Sequence, residues 1–417
     1  MFSPSNIPYT ALECRYNEIG TKGKNRGIFE DQLADSLRRA FSAIGGMNFR
    51  FDHGRIFILP QNGVFSDDDI KLIRARAKAV AGLASLSPGF LVAPDFNTIE
   101  AKVLELFPEI YRQYAASRNP AMTYSMRIRR CDKAYPMTCM EMEKYFAEKL
   151  LPQYPQLKID LKHAELLVEI DIRFSQAFIS FERISGPGGL PSGSGGRVLA
   201  LLSGGFDSPV ACYEMMRRGC TVDFIAYNSD PYTPPAYITK VTNIARHLNQ
   251  FQKRGKLVSV NLLAAQKEIR DKCQSRFRTV LYRRFMMRIA SIVAKKFDCK
   301  ALVTGDNLGQ VASQTLDNML VISQSVPDMI LRPLITFDKL DTLAIARDIG
   351  TYDLSVEQVP DSCTVFAPPD PTTSAPLESI IKNEELLDIP ALIDACLRET
   401  VIINPNTDHQ YPFLKHE

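Results

Sequence analysis

No two of the nine cysteines form a C-x-x-C pair, and their number is odd. A disulfide framework or a zinc site of ordinary spacing is therefore not expected. Most of Cys14, Cys131, Cys139, Cys212, Cys220, Cys273, Cys299, Cys363 and Cys396 read as small buried hydrophobes, which leaves one or two for chemistry. No apolar run approaches the ~20 residues of a membrane helix. The opening residues, Met1 to Thr10, lack both the basic and the apolar region of an export signal. The expectation is a cytoplasmic protein with no membrane partner. A formal charge of +3 is too small to announce a nucleic-acid partner, so any basic footprint must be local. Internal repeats are absent, and low complexity is confined to one stretch.

That stretch, residues 186 to 196, reads Gly-Pro-Gly-Gly-Leu-Pro-Ser-Gly-Ser-Gly-Gly, a density of turn formers that no helix or strand interior tolerates. A chain of 417 residues with 45% hydrophobic content can hold more than one core, and the main boundary is placed here. Upstream, Asn48 to Leu59 reads as strand, Ser66 to Ala81 as a helix opened by Asp67, Asp68 and Asp69, and Glu165 to Glu182 as paired strands. That half is α+β. Downstream, apolar runs at Val198 to Leu202, Thr221 to Tyr227, Lys256 to Val260 and Ala301 to Thr304 alternate with helical segments such as Val241 to Phe251 and Thr279 to Lys296. This alternation predicts an α/β fold with a parallel sheet, whose ligands lie at the carboxyl ends of the strands.

The strongest chemical signal is Ser203-Gly204-Gly205-Phe206-Asp207-Ser208, which follows a buried strand and leads into a helix. Pro209 suits the first helical turn and Gly219 the stop. The glycines allow a tight turn that aims backbone N–H groups at an anion, while Ser203, Ser208 and the helix N-terminus add donors. The lysine of G-x-x-x-x-G-K-[ST] is missing, and Asp207 would repel phosphate unless a cation such as Mg2+ intervened. The plainer reading is a strand-to-helix turn with a capping aspartate.

The hexapeptide resembles the PP-loop of ATP pyrophosphatases, which cleave ATP to AMP and pyrophosphate in order to adenylate a substrate. Within that superfamily the chain resembles the tRNA 4-thiouridine synthetase family, also called tRNA sulfurtransferases. The similarity runs through Met215 to Cys220, Tyr282-Arg283-Arg284, Leu302 to Thr315, Leu331 to Leu334, Asp338-Lys339 and Ile349 to Thr351. It implies a ferredoxin-like domain over residues 1–78, a THUMP RNA-binding domain over 79–183, a linker over 184–196 and a PP-loop domain over 197–417. It also implies ATP against Leu201, Leu202, Ala226 and Tyr227, with Arg283, Gly305 and Gln314 completing the pocket. Lys339 corresponds to a lysine needed for adenylation. Asp306 stands where the family usually has Glu, which keeps the carboxylate and shortens its reach.

Cys363 lies in Pro360-Asp361-Ser362-Cys363-Thr364-Val365-Phe366, followed by Pro368, Pro369 and Pro371, a composition that predicts a loop. Read alone it is a half-buried structural thiol. By resemblance it is the persulfide-accepting cysteine, which makes a cysteine desulfurase the implied sulfur donor. About 50 residues follow Cys363, so the rhodanese domain found in many relatives is not expected. Cys220 matches a family cysteine but reads as structural. The resemblance further allows a homodimer and a second use of the sulfur in thiamine biosynthesis.

Arg15, Lys22, Lys24 and Arg26 sit beside Tyr16 in a short basic span, a pattern suited to RNA phosphate and base contacts. The resemblance makes this span part of the tRNA-binding half, although Asn17 replaces a usual Gly. Arg127 and Arg129, two apart on a predicted strand, share a face while Arg130 points away. Ala164-Glu165 replaces the family's Pro-Asp. Two other classes compete with a sulfurtransferase: a PP-loop amide-forming ligase, which needs no carrier cysteine, and a non-enzymatic RNA-binding protein with a relic nucleotide fold.

Overall fold

The computed structural model describes residues 4–117, 123–357, 359–360, 362 and 365–414. The chain divides into two compact units, Met1–Pro191 and Ser192–Glu417. Among the described residues, no helix is long and apolar enough to cross a membrane.

The first unit runs β1 (Ala11–Arg15), α1 (Arg26–Ala40), β2 (Met47–Asp52), β3 (Arg55–Pro60), α2 (Asp67–Ala77), β4 (Ser85–Val92), α3 (Phe96–Ser117), β5 (Thr123–Arg130), α4 (Cys139–Leu150), β6 (Lys158–Ile159), β7 (Leu166–Ile172), β8 (Ala177–Ser180) and β9 (Ile184–Ser185). The sheet order is β2-β3-β1-β4-β8-β7-β5-β6, with β9 beside β4. Local chemistry sets the ends of the helices. Ser66 Oγ accepts from Asp69 N at 3.1 Å while the Asp69 carboxylate accepts from Ser66 N at 2.9 Å, so α2 begins in a capping box. Thr138 and Glu141 repeat the device at α4.

One face of this sheet carries the apolar core, in which Leu12, Cys14, Ile56 and Ile58 pack with α1 residues Leu33 and Leu37. The intervening residues Ala11, Glu13, Arg15 and Phe57 face the other way, and they are buried too. Curling of the sheet explains this. Phe57 on β3 and Phe178 on β8 stand three strands apart, which is ~14 Å in a flat sheet. Their ring centroids are instead 5.7 Å apart. Arg55 Nε reaches Asp171 on β7 at 3.5 Å, and Arg173 Nε reaches Asp52 at the end of β2 at 2.8 Å. Gly89 on β4 makes room inside the curl, since a Cβ there would meet Ile179 O at 2.3 Å and the Phe178 ring at 2.5 Å. The concave face thus holds a small apolar cluster of Ala11, Phe57 and Phe178 beside a network of buried charges.

The glycine-rich stretch is not a free tether. Its first part belongs to the first unit, where β9 pairs with β4 and Gly188 N donates to Leu83 O at 2.8 Å. Its last part belongs to the second, where Gly193 N and Gly195 N both donate to Gly219 O, at 2.7 and 2.9 Å.

The second unit runs β10 (Arg197–Leu201), α5 (Asp207–Arg217), β11 (Thr221–Asn228), α6 (Pro235–Leu248), β12 (Leu257–Asn261), α7 (Leu263–Lys272), α8 (Arg278–Lys296), β13 (Leu302–Val303), α9 (Leu316–Ser323), β14 (Ile330–Leu331), α10 (Lys339–Asp348), α11 (Tyr352–Val356), α12 (Leu377–Glu384), α13 (Ile389–Arg398), β15 (Val401–Ile403) and β16 (Gln410–Pro412). Strands β14, β13, β10, β11 and β12 are parallel in that order, and β15 and β16 extend the sheet antiparallel. The expected α/β alternation is therefore present. Strand β10 lies inside the parallel run, so its carboxyl end opens among those of its neighbours, where such folds bind ligands.

Candidate functional site

Leu201 ends β10, the chain turns through Ser203 to Phe206, and α5 starts at Asp207. The two serines close the loop on itself. Ser203 N donates to Ser208 Oγ at 2.8 Å, and the two hydroxyls lie 3.0 Å apart. Gly305, just past β13, lets this turn approach its neighbour, since a Cβ there would fall 2.8 Å from Ser208 N. Only a residue without a side chain fits that contact.

A cavity of about 420 Å³ opens beside the loop. Its walls include Leu201, Leu202, Ser203, Asp207, Ser208, Tyr227, Arg283, Gly305 and Gln314, all expected from the sequence. Gly204, Gly205 and Ala226 do not line it. Ala226 alternates with Tyr227 along β11, and residues next to each other on a strand face opposite sides, so Ala226 is buried on the other face. Lys339 is exposed at the start of α10 and also lies off the cavity wall, yet its charge is felt at Asp207.

Charge is distributed unevenly in this site. Burial raises the Asp207 carboxyl above the usual range, Asp306 adds to the rise, and a hydrogen bond from Gln310 and the Lys339 charge oppose it. Gln310 Nε2 donates to Asp207 Oδ2 at 3.1 Å. Asp306 is 3% exposed and behaves differently. Burial again opposes its charge, but ion pairs with Arg283 and Arg332 and a 2.8 Å hydrogen bond from Thr304 Oγ1 hold it below the usual range. Arg283 is fixed further by Ser313 Oγ at 3.1 Å.

Several wall residues escaped the sequence reading, among them Tyr237, Thr279, Tyr282, Met286, Thr304 and Ser313. A signal existed for part of this set. Thr279, Tyr282, Arg283 and Met286 follow the three- and four-residue spacing of one helix face, and that face of α8 forms a wall. Ser362 and Pro371 line the cavity as well. Ser362 is held there by Gln266, whose Nε2 donates to Ser362 O at 2.8 Å while its Oε1 accepts from Ser229 Oγ at 2.5 Å. Cys363, the expected sulfur carrier, lies outside the described residues. Of the described cysteines, Cys14, Cys212, Cys220, Cys273 and Cys396 are buried. Burial raises all five thiols, Cys273 and Cys396 to about 11. Cys131 is exposed, and partial burial raises it too.

In the first unit the expected RNA-facing residues separate. Arg127 and Arg129 are both exposed on β5 with Ile128 buried between them, while Arg130 turns to the carbonyls of Tyr135 and Met137 at 3.0 and 3.1 Å. Lys24 is exposed. Lys22 is half-buried over the Phe29 ring, and Arg26 is tied to Tyr16 and to Glu30 at 2.8 Å. Arg15 corrects the expectation of an accessible cation. It is 7% exposed inside the curl and donates to Ser87 Oγ at 2.8 Å and Glu13 at 2.5 Å. With Arg55, Arg127, Arg129, Glu169 and Asp171 it lines a narrow notch.

A closed phosphate-type loop at the carboxyl end of a parallel strand, beside a cavity with arginine and aspartate on its walls, defines the second unit as a nucleotide-site α/β domain. The comparisons with known proteins agree. Residues 193–389 match the family model described as thiamine biosynthesis protein (ThiI), residues 12–87 the ThiI ferredoxin-like domain, and residues 93–182 the THUMP domain. The probable tRNA sulfurtransferase of Brevibacillus brevis is 38% identical, with 94% of this chain and 96% of that protein covered. Its counterpart from Alkaliphilus oremlandii is 39% identical over 92% and 95% of the two chains. Among solved structures, a crystal structure of a 4-thiouridine synthetase–RNA complex with bound ATP superposes with a TM-score of 0.80 at 31% identity, covering 94% of this chain and 99% of that one. The chain belongs to the tRNA sulfurtransferase (ThiI) family.

Proposed function

We propose that the protein is an ATP-dependent tRNA sulfurtransferase that makes 4-thiouridine. The observation that carries this reading is the meeting, at one cavity, of the closed Ser203 to Ser208 loop and Ser362, the residue before Cys363. The loop amides and the start of α5 suit the phosphates of ATP. Leu201, Leu202 and Tyr227 offer an apolar wall for the nucleoside, and Gln314 brings a side-chain oxygen that has no hydrogen-bond partner among the described residues.

The uridine O4 attacks the α-phosphorus, the bond to pyrophosphate breaks, and the base becomes an O-adenylate. Arg283 on the cavity wall, and Lys339, whose charge reaches Asp207, are the cations proposed to offset the negative charge that builds on the leaving group. Among the described residues no three His, Cys, Asp or Glu gather into a metal cage. Mg2+ needs none, since one carboxylate plus phosphate oxygens suffices, and Asp207 is the carboxylate proposed to hold it. When bound, Mg2+ would neutralise phosphate charge that Asp207 otherwise repels.

Sulfur then replaces the adenylated oxygen. A persulfide on Cys363, supplied by a cysteine desulfurase, attacks C4 through its terminal sulfur, and AMP leaves with the former O4. A second thiol is then needed to release the thiocarbonyl and form a disulfide with Cys363. The thiols raised by burial are poor candidates for the carrier, which supports the assignment to Cys363. The same persulfide suits the thiamine branch after which the matched family model is named. Arg127, Arg129 and Lys24 are the proposed tRNA contacts, with Lys22 and Arg26 as partly engaged neighbours.

Cys363→Ser tests this reading. AMP formation on unmodified tRNA should persist while desulfurase-dependent 4-thiouridine, measured by nucleoside chromatography, disappears. Excess free sulfide should restore part of the product. Full thiolation by the variant would move the carrier elsewhere, and loss of AMP formation would move Cys363 into the activation step.

A further inference from the structure

The phosphate loop contains no lysine, and Asp207 at its end brings a negative charge toward anything seated there. A lysine from elsewhere nevertheless lies against it. Lys240 on α6 is 7% exposed, and a Cβ built on Gly204 would come within 3.2 Å of its Cδ, Cε and Nζ. Any side chain at Gly204 would therefore press on the ammonium. Lys240 Nζ donates to Ser355 O at 3.0 Å and to Glu357 O at 2.5 Å, both at the end of α11. The same helix touches the loop twice more. Phe206 stacks on Tyr352 with centroids 5.3 Å apart and planes at 27°, and Ser355 Oγ donates to Gly205 O at 3.4 Å. An ordinary strand-to-helix turn requires none of these contacts, and burying an ammonium is costly unless hydrogen bonds receive it, as the carbonyls of Ser355 and Glu357 do here.

We propose that Lys240 is a positioning residue of the nucleotide site, which fastens the phosphate loop to α11 and places a positive charge behind Gly204, next to the β- and γ-phosphates of the bound nucleotide. The proposal rests on the reading of the second unit as ATP-dependent, and it is independent of the sulfur step. Lys240 does not line the cavity, so it acts through the loop rather than on the reacting atoms. Because α11 precedes Cys363 closely in the chain, the lysine also ties the loop to the segment that leads to the sulfur carrier.

The test is calorimetric titration of the full chain with ATP and, separately, AMP, which lacks the two outer phosphates. Lys240→Met keeps the aliphatic stem and removes the charge, and it should weaken ATP about tenfold or more while changing AMP less than about twofold. Lys240→Arg should recover most of the preference for ATP. Equal weakening of both nucleotides would reduce Lys240 to a support of the fold and overturn the proposal, as would unchanged ATP affinity. If Lys240→Met does not fold, Gly204→Ala decides: its methyl group meets the lysine, so the ratio of ATP to AMP affinity should fall, and a wild-type ratio would overturn the proposal. Failure of the underlying reading looks different, because the unaltered protein would then bind neither nucleotide.

Discussion

Two buried carboxylates, each flanked by two arginines, end with opposite tendencies. Glu13 on β1 touches Arg15 and Arg55 at 2.5 and 2.6 Å, yet it is raised to about 7. Asp306 beyond β13 touches Arg283 and Arg332 and is lowered. Burial opposes ionisation in both, so the neighbours decide the outcome. Asp171 stands beside Glu13 as a second acid that adds repulsion and shares a hydrogen bond. Asp306 instead collects neutral donors, Thr304 at 2.8 Å and Gln314 at 3.5 Å. The cluster in the first unit is closed, with its acids and bases consumed by one another inside the curled sheet. The cluster in the second unit places Arg283 on a cavity wall.

The largest effect should come from Asp207, the acid that breaks this pattern by facing the cavity with a hydrogen bond from Gln310 in place of an arginine. Asp207→Asn should lower AMP formation by more than about a hundredfold, the loss of a charged group held at the reacting phosphates. The fold should not suffer. A carboxyl raised in the folded state contributes stability at low pH that is lost as pH rises through its folded pKa. Asparagine removes that loss, so the melting temperature at neutral pH should be equal or higher. A large fall in melting temperature would make Asp207 a structural residue.

Asp306→Asn should come next, because it leaves Arg283 and Arg332 without their carboxylate. AMP formation should fall about tenfold, and unfolding in urea at pH 7 should show a loss of about 2 kcal/mol, discounted because both arginines are partly exposed. A lowered carboxyl contributes stability that is present above the unfolded pKa and lost as pH falls toward the folded one. The difference between variant and wild type should therefore shrink as pH drops below about 4. A deficit that persists there would come from packing instead.

Arg127→Gln and Arg129→Gln probe the open edge of the first unit and should each weaken tRNA binding by several-fold at moderate salt. Each should also reduce the slope of log affinity against log salt by a little under about 1. The slope is the sharper measure, because a local unfolding would not change it in that way. Arg15→Gln should leave the slope alone, since that guanidinium is occupied inside the curl.

The contrast between the clusters also marks what the sequence could show. The strand, loop and first turn of α5 were legible because adjacent residues determine them: an apolar run, two glycines, an acid and a proline. The capped start of α2 was legible for the same reason. Arg15 was misjudged because its surroundings come from Ser87, Glu169 and the bend of a sheet whose contacts join residues far apart in the chain. Lys240 behind Gly204 was missed because only the packing of α6 brings them together. Met286 and Thr279 could have been found from their spacing with Arg283, although no local pattern says which face of α8 meets the cavity.

Glu13→Gln should have the smallest effect on the reaction and the clearest dependence on pH. Glu13 is fully buried, and burial first, then Asp171, pushes its carboxyl up to about 7 against the pull of Arg15 and Arg55. The folded state therefore holds a proton that the unfolded chain releases near the ordinary carboxylate pKa of about 4.3. Stability from this group is complete below that value and is lost as pH rises toward about 7. A glutamine keeps the shape, accepts from one arginine and cannot ionise, so the variant should lack this decline. Urea unfolding of the wild type should weaken by roughly 1–3 kcal/mol between pH 4.5 and 7.5 relative to the variant, a range that allows for the proton being shared with Asp171. AMP formation should stay within about twofold of wild type, because the cluster belongs to the other unit. The opposite slope, with wild type gaining on the variant as pH rises, would mean that the two arginines outweigh burial and that Glu13 is ionised like Asp306.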